Sequence, residues 1–221
     1  TVSVSGLGSV VVSVALYPRG PFTPGLPSSK LMNGGVLPLV FAHGAGEEVR
    51  HVMGVTVFAG MLGVLKKLPA GDVAVLHSCC HNPTGVDLTQ TQWREVLDVV
   101  KARGILPFLD LAYQGFADDA DADAYAPRLF AEATQPVFLS SSFSKSFSLY
   151  GERVGAFSLI AGSSDEAARA LSHLKRVVRT NYSNPPAHGS AIVARVLTSP
   201  DLRKQWEKEL GGMRERIKAM R

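Results

Sequence analysis

Lys145 stands among residues that rarely surround a lysine. In the stretch SSSFSKSFSLYGERVG, Ser140 to Gly155, its neighbours are serines and phenylalanines, and the nearest charges are Glu152 and Arg153. A surface lysine is usually solvated among other charged groups. An ammonium partly stripped of water beside another cation loses its proton more easily, and the neutral amine can form a Schiff base with an aldehyde. Asp110 ends the apolar run ILPFLD. It reads either as a solvated strand-end carboxylate or cap, or as a buried acid holding a cationic partner such as a protonated ring nitrogen. Ser142 and Arg153 offer a hydroxyl and a planar guanidinium fork, a pair suited to phosphate.

The elements that must position these groups alternate along the chain. VAVLH (73–77), ILPFLDLAY (interrupted by Pro107), PVFLSSS (136–142) and VGAFSLI (154–160) read as strands. LTQTQWREVLDVVKARG reads as a helix with Trp93, Val96, Leu97 and Val100 on one face, a Thr89/Gln92 capping box and Gly104 as its stop. SSDEAARALSHLKRVVRT is a second helix, with Ser163 and Glu166 as its box, and Ser199-Pro200 opens a third. This alternation predicts a three-layer α/β fold, a mostly parallel sheet flanked by helices. Ligands collect beyond the carboxyl ends of such strands, which brings Asn82, Asp110, Tyr113 and Ser142–Lys145 into one neighbourhood. Segment 17–40 breaks the pattern: Pro18, Pro21, Pro24, Pro27 and Pro38 punctuate it, and it has little periodicity.

The chain has 221 residues, 46% hydrophobic and 19% charged, with a net charge of +4. That is enough for one large domain or two small ones. Its basic residues are spread out, apart from Lys175–Arg179 and the tail after Met213, which lends little support to a nucleic-acid partner. The two cysteines, Cys79 and Cys80, are adjacent, a spacing poor for a disulfide and without a zinc pattern. They read as buried free thiols in a reducing compartment. No apolar run reaches the ~20 residues of a membrane span, so no membrane is expected and a cytoplasmic location is. The opening TVSVSGLGSVVVSVALYPRG lacks a basic leader and reads as interior sequence. The helical stripe Leu202, Trp206, Leu210, Met213, Ile217, Met220 is still running at Arg221, so the chain is expected to continue beyond both ends.

Ser142-Phe143-Ser144-Lys145 also matches S-x-x-K, the nucleophile motif of penicillin-binding proteins and serine β-lactamases. Tyr182-Ser183-Asn184 resembles their second motif, and their third is absent. That family opens a helix at its serine, whereas this serine is expected to close a strand.

Four segments taken together, HSCCHNPTGVDLTQTQW, FLDLAYQGF, SSSFSKSFSLYGERVG and RTNYSNPPAHG, resemble the aspartate/aromatic amino acid aminotransferases, which use pyridoxal 5'-phosphate. The resemblance runs from about Ala45 to Arg221. It implies transamination between an aromatic or acidic amino acid and 2-oxoglutarate, by a ping-pong route through a lysine aldimine. In this likeness Lys145 is the Schiff-base lysine and proton carrier, and Asp110 pairs with the pyridinium nitrogen. Tyr113 and Asn82 hydrogen-bond the ring oxygen, Asn82 also borders the substrate, and Ser142 and Arg153 bind the phosphate. Arg179 resembles the arginine that reaches the partner subunit's site to hold a distal substrate carboxylate, so a homodimer with shared sites is implied. His77 and His81 line the region, with His81 as support for Asp110 or the ring. No metal is expected.

The likeness has gaps. The family's S-G-T-G turn reads Ser5-Gly6-Leu7-Gly8, leaving Ser5 and Gly6 as cofactor contacts, and no ring-stacking tryptophan occurs in the proline-rich segment. Residues 1–200 are expected to form a partial cofactor domain, atypical over 17–44, and 201–221 the start of a helix leading to a small domain. The chain alone is expected to be inactive. The alternatives are a non-catalytic cofactor-binding or dimerisation fragment and the S-x-x-K acyltransferase.

Overall fold

The computed structural model describes residues 2–4, 10–12 and 47–220, with side chains from Val55 onward. Ser5, Gly6 and the segment 17–44 lie outside the described residues. Two short strands, β1 (Val2–Val4) and β2 (Val10–Val12), pair antiparallel. Helix α1 (Glu47–Leu65) leads into β3 (Val73–His77), α2 (Gln90–Arg103), β4 (Leu106–Leu111), α3 (Tyr125–Ala133), β5 (Val137–Ser142) and β6 (Gly155–Ile160). Helices α4 (Ser164–Asn181), α5 (His188–Thr198) and α6 (Pro200–Ala219) follow. The main sheet has the order β3-β4-β5-β6; its first two pairings are parallel and β5-β6 is antiparallel. The mostly parallel sheet flanked by helices is therefore the architecture that forms.

Local chemistry sets the element ends. Thr89 Oγ1 accepts from Gln92 N at 3.2 Å, and Gln92 Oε1 accepts from Thr89 N at 2.9 Å, a complete capping box at the start of α2. Gly104 ends that helix with φ +63°, in the left-handed region. The second expected box is only half formed. Ser163 Oγ accepts from Glu166 N at 3.2 Å, but Glu166 Oε2 reaches one residue further out and accepts from Gly162 N at 2.9 Å.

Pro107 does not interrupt its strand, contrary to the sequence expectation. It is fully buried within β4, opposite Ala74 of β3. Pairing with β5 begins only at Phe108. Pro107 thus sits where β4 has a strand on one side alone, a place where a missing N–H is tolerated.

One face of the sheet builds the core. Ala74, Leu76 and Leu109 cluster with Trp93, Val96, Leu97 and Val100 of α2 and with Ala126 and Phe130 of α3. Trp93 meets Phe130 edge-on, with centroids 6.1 Å apart. On the opposite face Phe108, Phe138 and Phe157 pack on one another at 6.0 to 6.2 Å. Among the described residues no helix is long and apolar enough to cross a membrane.

Candidate active site

The sheet register lines up one row of polar side chains. His77 pairs with Asp110, and Asp110 pairs with Ser140, so all three share one face. Ser140 Oγ donates to Asp110 Oδ1 at 3.1 Å. His77 Nδ1 accepts from Asn82 N at 3.1 Å, which leaves the ring proton on Nε2, 3.9 Å from Asp110 Oδ2. The carboxylate therefore takes its hydrogen bond from Ser140, with the His77 ring nearby but beyond hydrogen-bond range. His81 bonds Thr84 Oγ1 through Nδ1 at 2.8 Å and does not serve Asp110. Burial, and then the nearby His77, lower the His81 pKa from its ordinary value. Asp110 is not fully buried: its side chain is 33% exposed, open to a partner from the solvent side.

Lys145 sits in the connection between antiparallel β5 and β6. The last rung, Ser142 opposite Gly155, is extended by Phe143 N donating to Val154 O at 3.2 Å. Ser144 and Ser146, on either side of Lys145, are 6% and 5% exposed. Turns follow Ser142 where an acyltransferase would open a helix, and this removes the S-x-x-K reading. Lys145 Nζ lies 4.9 Å from the Tyr113 ring centroid, a cation–π contact. Asn82 Nδ2 lies 3.5 Å from Tyr113 Oη. Asn82, Tyr113 and Lys145 line one cavity of about 330 Å³, together with Cys80, Phe116 and Ile217. That volume falls in the usual range for small-molecule sites, ~300–1,000 Å³.

The other expected residues stand apart from that cavity. Ser142 Oγ accepts from Ser144 N at 3.3 Å and lines a second cavity of about 570 Å³ behind the loop. Arg153 is exposed, has φ +50°, and donates to Tyr150 O at 3.1 Å. Ser142 and Arg153 nevertheless flank the same loop base, since Arg153 lies two residues before Gly155, the partner of Ser142. Arg179 is exposed on the last turn of α4 and donates to Ser183 Oγ. Both cysteines are free; Cys79 is buried as expected, whereas Cys80 is only half-buried and lines the Lys145 cavity. The Cys79 pKa is raised by its hydrogen bond with the Cys80 thiol, by burial and by the charge of Asp123, so it stays a protonated thiol.

Sequence reasoning missed the residue that shapes the Tyr113 turn. The carboxylate of Asp123, 6% exposed, accepts backbone N–H groups from Gly115 at 2.7 Å, Ala117 at 3.1 Å and Asp118 at 3.0 Å. Its signal in the sequence was one acid among four aspartates in six residues, DDADAD, with nothing to single it out. Gly115 adopts φ +94°, and a Cβ there would lie 2.3 Å from Leu210 Cδ2 of α6. Gly115→Ala is expected to destabilise the chain by ~1–3 kcal/mol, read by chemical denaturation, because strain and overpacking coincide.

An amine, a phenol and an amide line one cavity at the carboxyl ends of a mostly parallel sheet. The chain belongs to the class I and II aminotransferases: the family described as "Aminotransferase class I and II" matches residues 45–221. It is 62% identical over 163 residues to an aspartate aminotransferase of Pseudomonas aeruginosa, covering 74% of this chain and 41% of that protein. It is 51% identical over 164 residues to an aromatic-amino-acid aminotransferase of Escherichia coli, with coverage of 74% and 41%. A crystal structure of an aromatic-amino-acid aminotransferase from Burkholderia pseudomallei, covalently bound to pyridoxal phosphate, superposes with a TM-score of 0.72 at 66% identity, again covering 74% and 41%. The chain thus spans about two fifths of the length of these relatives.

Proposed function

We propose that an enzyme containing this segment moves an amino group between an aromatic or acidic amino acid and 2-oxoglutarate, using pyridoxal 5'-phosphate held at the Lys145 cavity. The observation that carries this reading is the Lys145 amine over the Tyr113 ring, in a cavity shared with Asn82. The donor set fits the cofactor: an amine for its aldehyde, a phenol and an amide for its ring oxygen, and a carboxylate on the same strand ends for its ring nitrogen. When bound, the cofactor supplies an aldehyde for amine capture and a ring that accepts electron density from the amino acid α-carbon.

The chain's own groups do the rest. Lys145 would hold the cofactor through its amine, and its free amine would carry the proton that leaves the α-carbon. Asp110, oriented by Ser140 with His77 beside it, holds a proton on the ring nitrogen. Tyr113 and Asn82 donate to the ring oxygen. Ser142 and Arg153, at the base of the lysine loop, hold the phosphate. Residues 1–200 are the cofactor domain in this reading, α6 leads onward from it, and the enzyme works as a cytoplasmic homodimer. Borohydride reduction with pyridoxal 5'-phosphate, followed by peptide mapping, tests the reading: the label belongs on Lys145. A label on other lysines with Lys145 clean rules the reading out.

Arg179 is the proposed clamp for a distal substrate carboxylate in the neighbouring site, through its bidentate guanidinium. A cation on a helix's last turn also offsets the helix dipole, worth a few tenths to ~1 kcal/mol. The two roles separate in an enzyme of the relatives' full length that contains this segment. Arg179→Leu should lower kcat/KM for aspartate and glutamate at least ~tenfold, the loss of one charge-assisted contact, and change phenylalanine far less. Equal losses for all substrates would assign Arg179 to the helix alone.

A further inference from the structure

The loop that carries Lys145 does little to hold itself. Its internal backbone bonds are Phe147 N to Phe143 O at 3.3 Å and Ser148 N to Lys145 O at 3.1 Å, and Ser148 adopts φ +54°. The firm anchor comes from far along the chain. Trp206 Nε1 donates to Ser146 O at 2.7 Å, and the indole stacks on Phe147 with centroids 4.7 Å apart and planes 18° apart. Phe147 in turn meets Phe143 edge-on at 5.5 Å.

The same helix grips the loop that carries Tyr113. Leu210 closes on Gly115, Arg214 Nη1 donates to Gly115 O at 3.0 Å, and Lys218 Nζ lies 3.6 Å from Asp118. Positions 206, 210, 214 and 218 follow one another at i+4, so one face of α6 touches both loops. Ile217, on the next turn, forms part of the cavity wall beside Lys145.

We propose that Trp206 is a positioning residue for the Lys145 amine: α6 spans the two loops of the site, and the indole fixes the peptide next to Lys145 while Leu210 and Arg214 fix the turn after Tyr113. The distance between the amine and the phenol ring is then set by a helix, a stiffer element than either loop. The proposal rests on the aminotransferase reading for its purpose, and its geometry stands without it. A part-buried indole N–H takes an acceptor in any role, so the reactivity of Lys145, and not the bond itself, tests the positioning role.

Two variants of the 221-residue chain test this. Trp206→Phe keeps an aromatic stack and removes the N–H; Trp206→Leu removes both. Trace acetylation with acetic anhydride reads the accessibility of each amine without any cofactor. In both variants, well below their melting temperatures, acetylation of Lys145 relative to the exposed Lys175 should rise about threefold or more, as loss of one hydrogen bond implies. Borohydride trapping of pyridoxal 5'-phosphate at Lys145 should slow roughly fivefold. Lys145 acetylation equal to the unaltered chain in a folded Trp206→Phe overturns the proposal, even if the melting temperature falls. Should Trp206→Leu not fold, Trp206→Phe carries the test alone. If an enzyme of the relatives' full length that contains this segment traps pyridoxal 5'-phosphate no faster at Lys145 than at Lys175, the aminotransferase reading fails, and the acetylation ratio still decides the role of Trp206.

Discussion

Lys145→Arg should abolish borohydride-trapped pyridoxal 5'-phosphate while leaving the fold intact. Arginine keeps a cation above the Tyr113 ring, so the contact at 4.9 Å has a replacement. It stays protonated at any working pH and offers no free amine. The variant therefore separates the charge of this residue from its nucleophilicity. Lys145→Ala removes both and should also lose the label. In an enzyme of the relatives' full length, either change should slow transamination by at least ~10²–10⁴-fold, the usual contribution of a positioned proton carrier, measured in single-turnover half-reactions. Trapping at an unchanged rate in Lys145→Arg would move the chemistry to another lysine.

Asp110→Asn is the second large effect. The substitution conserves shape, and the Ser140 hydroxyl that donates at 3.1 Å can donate equally to an amide oxygen. Folding should be preserved, since the side chain is 33% exposed and not a buried charge whose loss would unpair a neighbour. In the proposed reading, and in an enzyme of the relatives' full length, what changes is the proton on the ring nitrogen, which a carboxylate would stabilise and an amide would not. A charge-assisted hydrogen bond is worth ~1.5–3 kcal/mol, so α-proton removal should slow by about tenfold to 150-fold, with the electronic loss adding to it. Single-turnover kinetics with a deuterated α-carbon would read this step. Wild-type rates would reduce Asp110 to a strand-end carboxylate held by its neighbours.

The elements that position the site were legible because their signals are local. The strand VAVLH, the 3.6-residue stripe of Trp93, Val96, Leu97 and Val100, and the Thr89/Gln92 box all survive in the structure, although Val73 and Val75 are exposed where an apolar run suggests a buried strand. Asn82, Tyr113 and Lys145 meet at one cavity, as strand-end logic requires. The failures share a cause: they depend on what lies alongside. Whether Pro107 breaks a strand depends on where β5 begins to pair. Which histidine lies beside Asp110 depends on register, and register puts His77 there. The contributions of Ser140, Asp123 and Trp206 are contacts across 30, 8 and 60 residues, and such contacts leave no periodic trace.

The row His77, Asp110, Ser140 has an evolutionary corollary. Side chains alternate along each strand, so Leu109 and Leu111, on either side of Asp110, are turned the other way and are 0% and 3% exposed. One codon inserted or deleted within β4 would exchange their orientations with that of Asp110. The carboxylate would then enter the apolar interior, and a leucine would take its place beside Ser140. Within the six residues of β4 a change of length therefore carries Asp110 to the other face unless a β-bulge absorbs it.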